Sequence, residues 1–391
     1  MITASITAAN DIGPCLGDGL VVQGNNITVN LNGHTILGAA SDPASTIDQA
    51  GIHLDHVVGV TVKGGTVRGF FVGVLVKGGS GNTITNMTAD RNVGLGTTLY
   101  SDGIVLDGAG NNKITNSRVT ANGPDNGIDM VNNASNNLID HNFVADNNVA
   151  SVGTGPGGTS LASDGGISND AGSSNNVISN NQVLRNGFFG IALGGLDTGH
   201  NKAINNVVRD NGASGINAGG NGNVVQGNLV AHNGYQQFVP PGGSAQGGGN
   251  GVQTCGQTTG RACGPDFTTI SNNTITNNAA DGISLLFNGN QFTGGCGTFG
   301  CFPPAPYAPP RSNLVKGNFV KGNGGDGIFI ECDHLYDANF NSTCLPSSPP
   351  HLGLRILNNT SLNNGGPNAG ITSWDLHDQN PNCDHNIWSK N

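Results

Sequence analysis

The stretch Gly103-Ile104-Val105-Leu106, answered one unit later by Gly127-Ile128-Asp129-Met130, decides how this chain folds. The same phrase is Gly, then Ile or Val, a free position, then usually an apolar residue. It recurs at Gly51-Ile52-His53-Leu54, Gly73-Val74-Leu75-Val76, Gly190-Ile191-Ala192-Leu193, Gly282-Ile283-Ser284-Leu285 and Gly327-Ile328-Phe329-Ile330. Weaker copies stand at Gly166-Ile167, Gly215-Ile216, Gly251-Val252 and Gly370-Ile371. The closest copies lie 22 to 25 residues apart, which is the length of one turn of a parallel β-solenoid. A self-similar period of this size fixes the architecture before any local assignment, and predicts a stack of about a dozen near-equivalent coils.

Each unit divides further. A turn rich in Gly, Asn and Ser follows the glycine strand, then two short strands such as Thr269-Ile270-Ser271 and Thr274-Ile275-Thr276. Between them an Asn recurs as Asn142, Asn181, Asn228, Asn273, Asn318 and Asn359. Asn tolerates left-handed backbone, and its amide can bond its stacked equivalent, so this column reads as a tight corner closed by an Asn ladder. Sequons such as Asn86-Met87-Thr88 are by-products of the same corner chemistry.

Three strands per coil, an Asn corner between the second and third, and Gly-Ile opening the first resemble a right-handed three-sheet parallel β-helix, an all-β fold. The resemblance is to the pectate-lyase-like superfamily, with repeats similar to those of NosD-type proteins. Cys15-Leu16-Gly17-Asp18-Gly19-Leu20 and Leu31-Asn32-Gly33-His34-Thr35-Ile36 resemble the first coil of secreted bacterial members. That superfamily holds lyases, hydrolases, epimerases and non-enzymes, so the fold implied leaves the chemistry to the site.

Composition agrees. The chain has 65 Gly in 391 residues and only 10% charged residues, and Val and Ile recur with strand periodicity, which excludes a coiled coil and a disordered chain. No composition break divides it, so residues 1–391 are expected to form one domain, since a solenoid grows without a second core. No run of 18 apolar residues predicts a membrane span. Met1 directly before a strand-like segment reads as a start after signal removal, which with the cysteine usage predicts an extracellular or periplasmic protein. Cys255 with Cys263, Cys296 with Cys301 and Cys332 with Cys344 are close pairs expected to form loop-stapling disulfides, while Cys15 and Cys383 should not pair with each other.

Long insertions are expected at about 91–102, 147–164, 235–250, 255–265, 287–311 and 332–351. They rise on both edges of the first-strand sheet and leave its outer face as the floor of a groove. Side chains at the free positions point outward and stack about 4.8 Å apart on neighbouring coils. Two polar clusters result. The first holds His53, Asp55, Lys77, Asp102, Asp107, Asp129 and Asp170; the second holds Asp281 and Asp326, then Glu331, Asp333 and His334, with Phe329 and Trp374 as aromatic platforms. Between them Ala192, Gly194, Asn217 and Gly219 make a flat floor.

A groove with carboxylates and aromatic platforms suits an extended sugar chain. Glycosidic hydrolysis needs two carboxylates, and Asp281, Asp326, Glu331 and His334 are the expected catalytic set, needing no cofactor. Asp102, Asp107, Asp129, Lys77, His53, Phe329 and Trp374 are expected to bind substrate. β-Elimination or epimerisation would need a cation at the sugar carboxylate, and Asp107, Asp129 and Asp170 are the expected Ca²⁺ ligands in that case. Asp102-Gly103-Ile104 with Asp125-Asn126-Gly127 is similar to the aspartate set of polygalacturonases, but Gly165 stands where that set has a His, and no Arg-Ile-Lys occurs. The Asp-Pro-His of β-helical alginate epimerases is missing, since Asp42-Pro43 runs on into Ala44. The NosD likeness implies a non-catalytic, metal-related or glycan-binding periplasmic role, with His334, His377, Asp333, Asp375 and Asp378 as available ligands. A formal charge of −10 argues against nucleic acid as partner. A monomer acting on a polysaccharide or oligosaccharide is the expected working unit.

Overall fold

A computed structural model of the chain describes residues 1–39, 49–93, 101–148, 165–170, 172–194, 198–235, 249–254, 266–285, 295–297, 300–302, 312–330, 334–336, 342–344, 353–365, 374–378 and 387–389. Among them there is no helix. The glycine-phrase strands stack as one 12-stranded parallel sheet running from Leu20–Val22 through Ile104–Asp107 and Ile283–Leu285 to Leu376–Asp378. The second and third strands of the coils stack beside it. They count as one 23-stranded sheet because Thr61–Arg68 and Thr83–Asp90 run unbroken around the corner that later coils turn sharply. The expected coil, with its three strands, is the observed one.

The apolar positions of each coil face inward and stack on themselves. Ile52, Val74, Ile104, Ile128, Ile167, Ile191, Ile216, Val252, Ile283 and Ile328 form one continuous buried row, and Val119, Val144, Val183, Val208 and Val230 form another on the third strands. Burying each such side chain contributes roughly 1.5–3 kcal/mol, and the contribution repeats with every coil. The phrase glycine is a matter of space. A Cβ on Gly103 would meet Val119 Cγ1, the Gly127 carbonyl oxygen and Asn122 Nδ2 at 2.8 Å or less. Gly282 is crowded in the same way by Val320, Gly327 and Asn323. The first strand and the third meet here with no room for a side chain.

The expected Asn ladder is present, and it is one of three. Between the second and third strands the amides run Asn142, Asn181, Asn206, Asn228, Asn273, Asn318, Asn359, each Nδ2 donating to the next Oδ1 at 2.9–3.1 Å. After the third strand a second ladder runs from Asn92 and Asn122 through Asn147, Asn186, Asn211, Asn233, Asn278 and Asn323 to Asn364. A third, shorter one precedes the second strand, through Asn82, Asn112, Asn137 and Asn176. Left-handed backbone is required one residue earlier than expected. Asn180, Asn205, Asn272 and Asn358 have positive φ, not the ladder residues that follow them. The ladder Asn is instead fixed by four hydrogen bonds and is fully buried.

The insertions at 287–311 and 332–351 each contain an antiparallel hairpin, Gly295–Gly297 with Gly300–Phe302 and His334–Tyr336 with Ser342–Cys344. Cys296 lies opposite Cys301 in the first. The side chains of these hairpins and residues Cys255, Cys263, Cys332 and Cys383 lie outside the described residues, and the disulfide expectation lies there with them. Cys15 is free.

Asn228 shows what a ladder residue carries. Its Oδ1 accepts from both nitrogens of Asn206, and its Nδ2 donates to Asn273 and to the Ala203 carbonyl. Asn228→Ala strands buried groups on the coils above and below, so a stability loss of about 3 kcal/mol is expected from urea unfolding. Lys202→Ala on the exposed neighbouring face should change stability by less than about 0.5 kcal/mol. Equal midpoints for the two variants would show that the ladder does not hold the coils.

Candidate active site

In two runs of coils the residue before the phrase glycine forms a further ladder, at the edge of the first sheet. Asp102 Oδ1 accepts from the Asn126 N–H at 2.6 Å, and Asn126 Oδ1 from the Gly165 N–H at 2.7 Å. Further along, Ser214 Oγ accepts from the Asn250 N–H at 3.0 Å, and Asn250 Oδ1 from the Asp281 N–H at 3.0 Å. Asp281 Oδ1 then accepts from the Asp326 N–H at 2.8 Å, and Asp326 Oδ1 from the Trp374 N–H. This job needs an acceptor and nothing more. Asn126, Ser214 and Asn250 do it without charge. Asp102, Asp281 and Asp326 do it while carrying a carboxyl group into a poorly solvated place, which is costly. The extra group is what the stack itself does not ask for.

At the C-terminal end the column meets the outward free positions of the phrase. Registers place Gln253, Ser284, Phe329 and His377 in one file across consecutive strands. His377 Nδ1 lies 2.7 Å from Asp326 Oδ2, the ring N–H donating to the carboxylate. The Phe329 ring sits 5.2 Å from the imidazole centroid. Asp326 is 8% exposed. Asp281, next to it, has its pKa pushed up to about 6. Burial is the main cause and the Asp326 charge adds to it, while the Asp326 N–H and His377 oppose the rise. Trp374 is exposed beside the pair. Asp281, Asp326, Phe329 and Trp374 are thus brought together as expected. His377 completes the group. Expected above as a possible metal ligand, it stands two residues after Asp375 and in file with Phe329. Glu331 and Asp333 lie outside the described residues, as does the side chain of His334.

The N-terminal cluster differs from expectation. Outward free positions would leave its carboxylates in solvent, yet Asp102 has no exposed surface, Asp129 is 4% exposed and Asp125 6%. Asp170 keeps partial exposure at its edge. Burial pushes the Asp102 carboxyl well up from the ordinary range, with the Asp125 and Asp170 charges adding to it. Burial also raises Asp170, opposed by the Ser168 hydroxyl donating at 2.6 Å. Asp125, of the Asp125-Asn126-Gly127 motif, lies close enough for its charge to act on Asp102.

Asp107 does not join this group. It pairs in register with Val131, two positions along the strand from the Val105–Asp129 pair, and accepts from Asn132 Nδ2 at 2.8 Å. Among the described residues no three His, Cys, Asp or Glu side chains form a metal-holding group. Lys77 lies between Asp55 and Asp107 in register, a cation flanked by two carboxylates. His53 Nδ1 is 3.2 Å from Asp18 Oδ2. It lies eight rungs from Asp281 in the 12-strand order, about 38 Å at the strand spacing, and belongs to a different part of the groove.

A raised carboxyl has a readable consequence for stability. Between about pH 4 and pH 6 the folded chain keeps the Asp281 proton that the unfolded chain has released, so this residue's contribution to stability falls as pH rises through that window. Asp281→Asn keeps the ladder acceptor, as Asn250 does one coil earlier, and removes the charge. The variant should be more stable than the unaltered chain at pH 7, by up to about 3 kcal/mol, and the difference should shrink toward pH 4. Thermal unfolding of both proteins from pH 4 to 8 measures it. A difference that does not vary with pH would mean that Asp281 titrates as an ordinary carboxylate.

Comparison with known proteins bears on the fold. Residues 9–154 and 72–261 match the family model described as right handed beta helix region. No match is found among curated proteins by sequence. Among solved structures, a double mutant of the periplasmic alginate epimerase AlgG is similar over 96% of this chain and 82% of its own, at 12% identity and a TM-score of 0.54. The A-module of an Azotobacter vinelandii mannuronan C-5 epimerase matches over 83% of this chain and 84% of its own, at 18% identity and a TM-score of 0.46. A pectate lyase matches over 95% and 83%, at 12% identity and a TM-score of 0.46. With parallel coils of three strands and a family match spanning more than half of the sequence, the chain belongs to the right-handed β-helix family.

Proposed function

We propose that this chain binds a polysaccharide along the outer face of its first sheet and hydrolyses a glycosidic bond at Asp281 and Asp326. The observation that carries this is one pair of adjacent carboxyls in unequal surroundings. Asp281 has a pKa of about 6 and can hold a proton near neutral pH, as a general acid must. Asp326 is gripped by the His377 ring N–H and the Trp374 backbone N–H, which fix the direction of its remaining lone pairs.

In this reading Asp281 gives its proton to the glycosidic oxygen as the bond to the anomeric carbon breaks. Asp326 assists at that carbon, directly or through a water, and His377 holds Asp326 in place. Phe329 and Trp374 offer apolar faces to the sugar rings. The likeness to an alginate epimerase is one of fold, and supports a long sugar chain lying across stacked coils. Elimination and epimerisation both begin by removing a proton next to a sugar carboxylate and need a cation beside it. Among the described residues the first sheet supplies only Lys77, far from the pair and flanked by Asp55 and Asp107. Hydrolysis therefore fits the pair better. A glycan substrate also places the protein outside the cytoplasm, in the periplasm or beyond the cell.

The purified chain should release reducing ends from at least one member of a panel of neutral, amino and uronate polysaccharides, with no absorbance from an unsaturated product. Asp281→Asn and Asp326→Asn should each lower kcat by about 10²–10⁴ with unchanged circular dichroism. Unsaturated product would reassign the site to elimination. Full activity in both variants would remove the pair from the chemistry.

A further inference from the structure

Asp281 and Asp326 stand where the third strand of a coil turns into the first strand of the next, and the open way to them runs along this corner. The floor of the first sheet is closed beside them, with Gln253 2% exposed and Ser284 1%. Gln253 Oε1 is already taken, by the Ser214 hydroxyl at 2.6 Å and by Asn250 Nδ2 at 3.1 Å. In earlier coils the corner is closed as well, since residues 122–126, 187 and 211–214 are buried. Beside the pair it opens. Ala280, Asp281 and Gly325 are half-buried, while Tyr235 is 60% exposed and Trp374 57%.

Backbone hydrogen bonds from Ala279 to Asn233, from Gly324 to Asn278 and from Gly365 to Asn323 set successive coils of the corner in file. Tyr235 follows Gly234 at the first of these coils, and the Trp374 N–H meets Asp326 Oδ1 at the last. The two aromatic residues therefore stand three rungs apart, about 14 Å along the axis at the strand spacing. Asp281 and Asp326 occupy the two rungs between them. Single exposed apolar side chains are ordinary, but here two large rings bracket one carboxyl pair. Among the described residues the other exposed aromatics, Phe267 and Phe319, lie before the second strand and on the third. Gly325 keeps the carboxyl clear. A Cβ there would run into Asp281 Oδ1, and Gly325 is not among the residues with positive φ, so space next to Asp281 is what the glycine supplies.

We propose that this corner is the substrate track, taking an uncharged polysaccharide strand laid parallel to the solenoid axis, with sugar faces stacked on Tyr235 and Trp374 and the bond to be cut between them. This rests on the hydrolytic reading of Asp281 and Asp326, and at that point moves the strand from the floor of the sheet to its edge. Exposed aromatic rings offer an apolar face to the C–H face of a sugar and leave its hydroxyls to water. The corner segments 232–251, 277–282, 322–327 and 363–375 contain Asp281, Asp326 and Asp375 but no Lys or Arg. A sugar carboxylate laid there meets like charge and no cation, so the strand is an uncharged one. Stacking positions on both sides of the pair hold an internal stretch of a long chain, which makes the cut internal.

The test is isothermal titration of the full chain carrying Asp281→Asn, so that nothing is cut, with mixed-linkage β-glucan, galactomannan, arabinoxylan, polygalacturonate and polymannuronate. At least one of the three neutral polymers should bind, and neither uronate polymer should. Adding Tyr235→Ala or Trp374→Ala should lower that affinity roughly tenfold with no fall in melting temperature. Tyr235→Phe, which keeps the ring, should retain it, and Phe319→Ala, an exposed ring off the corner, should not change it. Where the unaltered chain cuts the bound polymer, chain length should fall early, without single sugars from the start. Neutral binding that is lost in both alanine variants, without any turnover by the unaltered chain, would uphold the track and sink the hydrolytic reading. Turnover that needs both aspartates and is indifferent to both alanine variants would do the reverse. Tighter binding of a uronate polymer, an equal loss in Phe319→Ala, or no binding of any neutral polymer would overturn the proposal.

Discussion

Each coil of this solenoid lies one hydrogen bond from the next, and every polar group at a buried corner must find its partner across that single spacing. Asn meets this demand with one side chain. Its carbonyl takes the backbone N–H and the amide of the preceding rung, and its own amide reaches the next rung and a backbone carbonyl. The amide dipoles in a column all point the same way, so each bond polarises its neighbour. Three such columns stand at the corners around an apolar interior. The phrase glycine follows from them, since Gly103 is crowded by Val119 and by the ladder residue Asn122 together. Composition that looks unusual for a folded protein, rich in Gly and Asn and poor in charge, is what this packing requires.

The same constraint gives a way to separate structural carboxyls from functional ones. Along the edge of the first sheet the ladder accepts Asn, Ser or Asp alike. Where Asp stands, the acceptor is satisfied and a charge remains. At Asp281 and Asp326 the surplus is shared between neighbours, and one carboxyl becomes a proton carrier near pH 6 while His377 engages the other. At Asp102 the surplus is buried and met by no donor at all.

The fold was legible in the sequence because a solenoid repeats its own instructions. The glycine phrase, the stacked Asn and the three strands per coil each appear about a dozen times, and any misreading of one coil is corrected by its neighbours. One corner ladder was found and two were not, because Asn82 and Asn92 and their successors sit among Gly and Ser that read as ordinary turn. The Asp281–Asp326 column was legible through the two aspartates preceding their glycines. His377 was harder, since the glycine that would mark its coil is replaced by Asp375 and only the strand register aligns it with Phe329. Burial was the part least available. Nothing in the order of residues shows that Asp102, Asp125 and Asp129 are covered. Stacking of outward positions groups Asp107 with Asp129 and Asp170, but the register sets Asp107 two positions along the strand from the Val105–Asp129 pair.

The claim on which the rest depends is that Asp281 and Asp326 form a coupled pair rather than two rungs of a ladder. Carbon-detected NMR titration of the Asp281 carboxyl, in the full chain and in Asp326→Asn, measures this directly. The account predicts an inflection near pH 6 in the unaltered chain and a lower one in the variant, where the neighbouring charge is gone but burial remains. An inflection in the ordinary aspartate range, unmoved by Asp326→Asn, would contradict it.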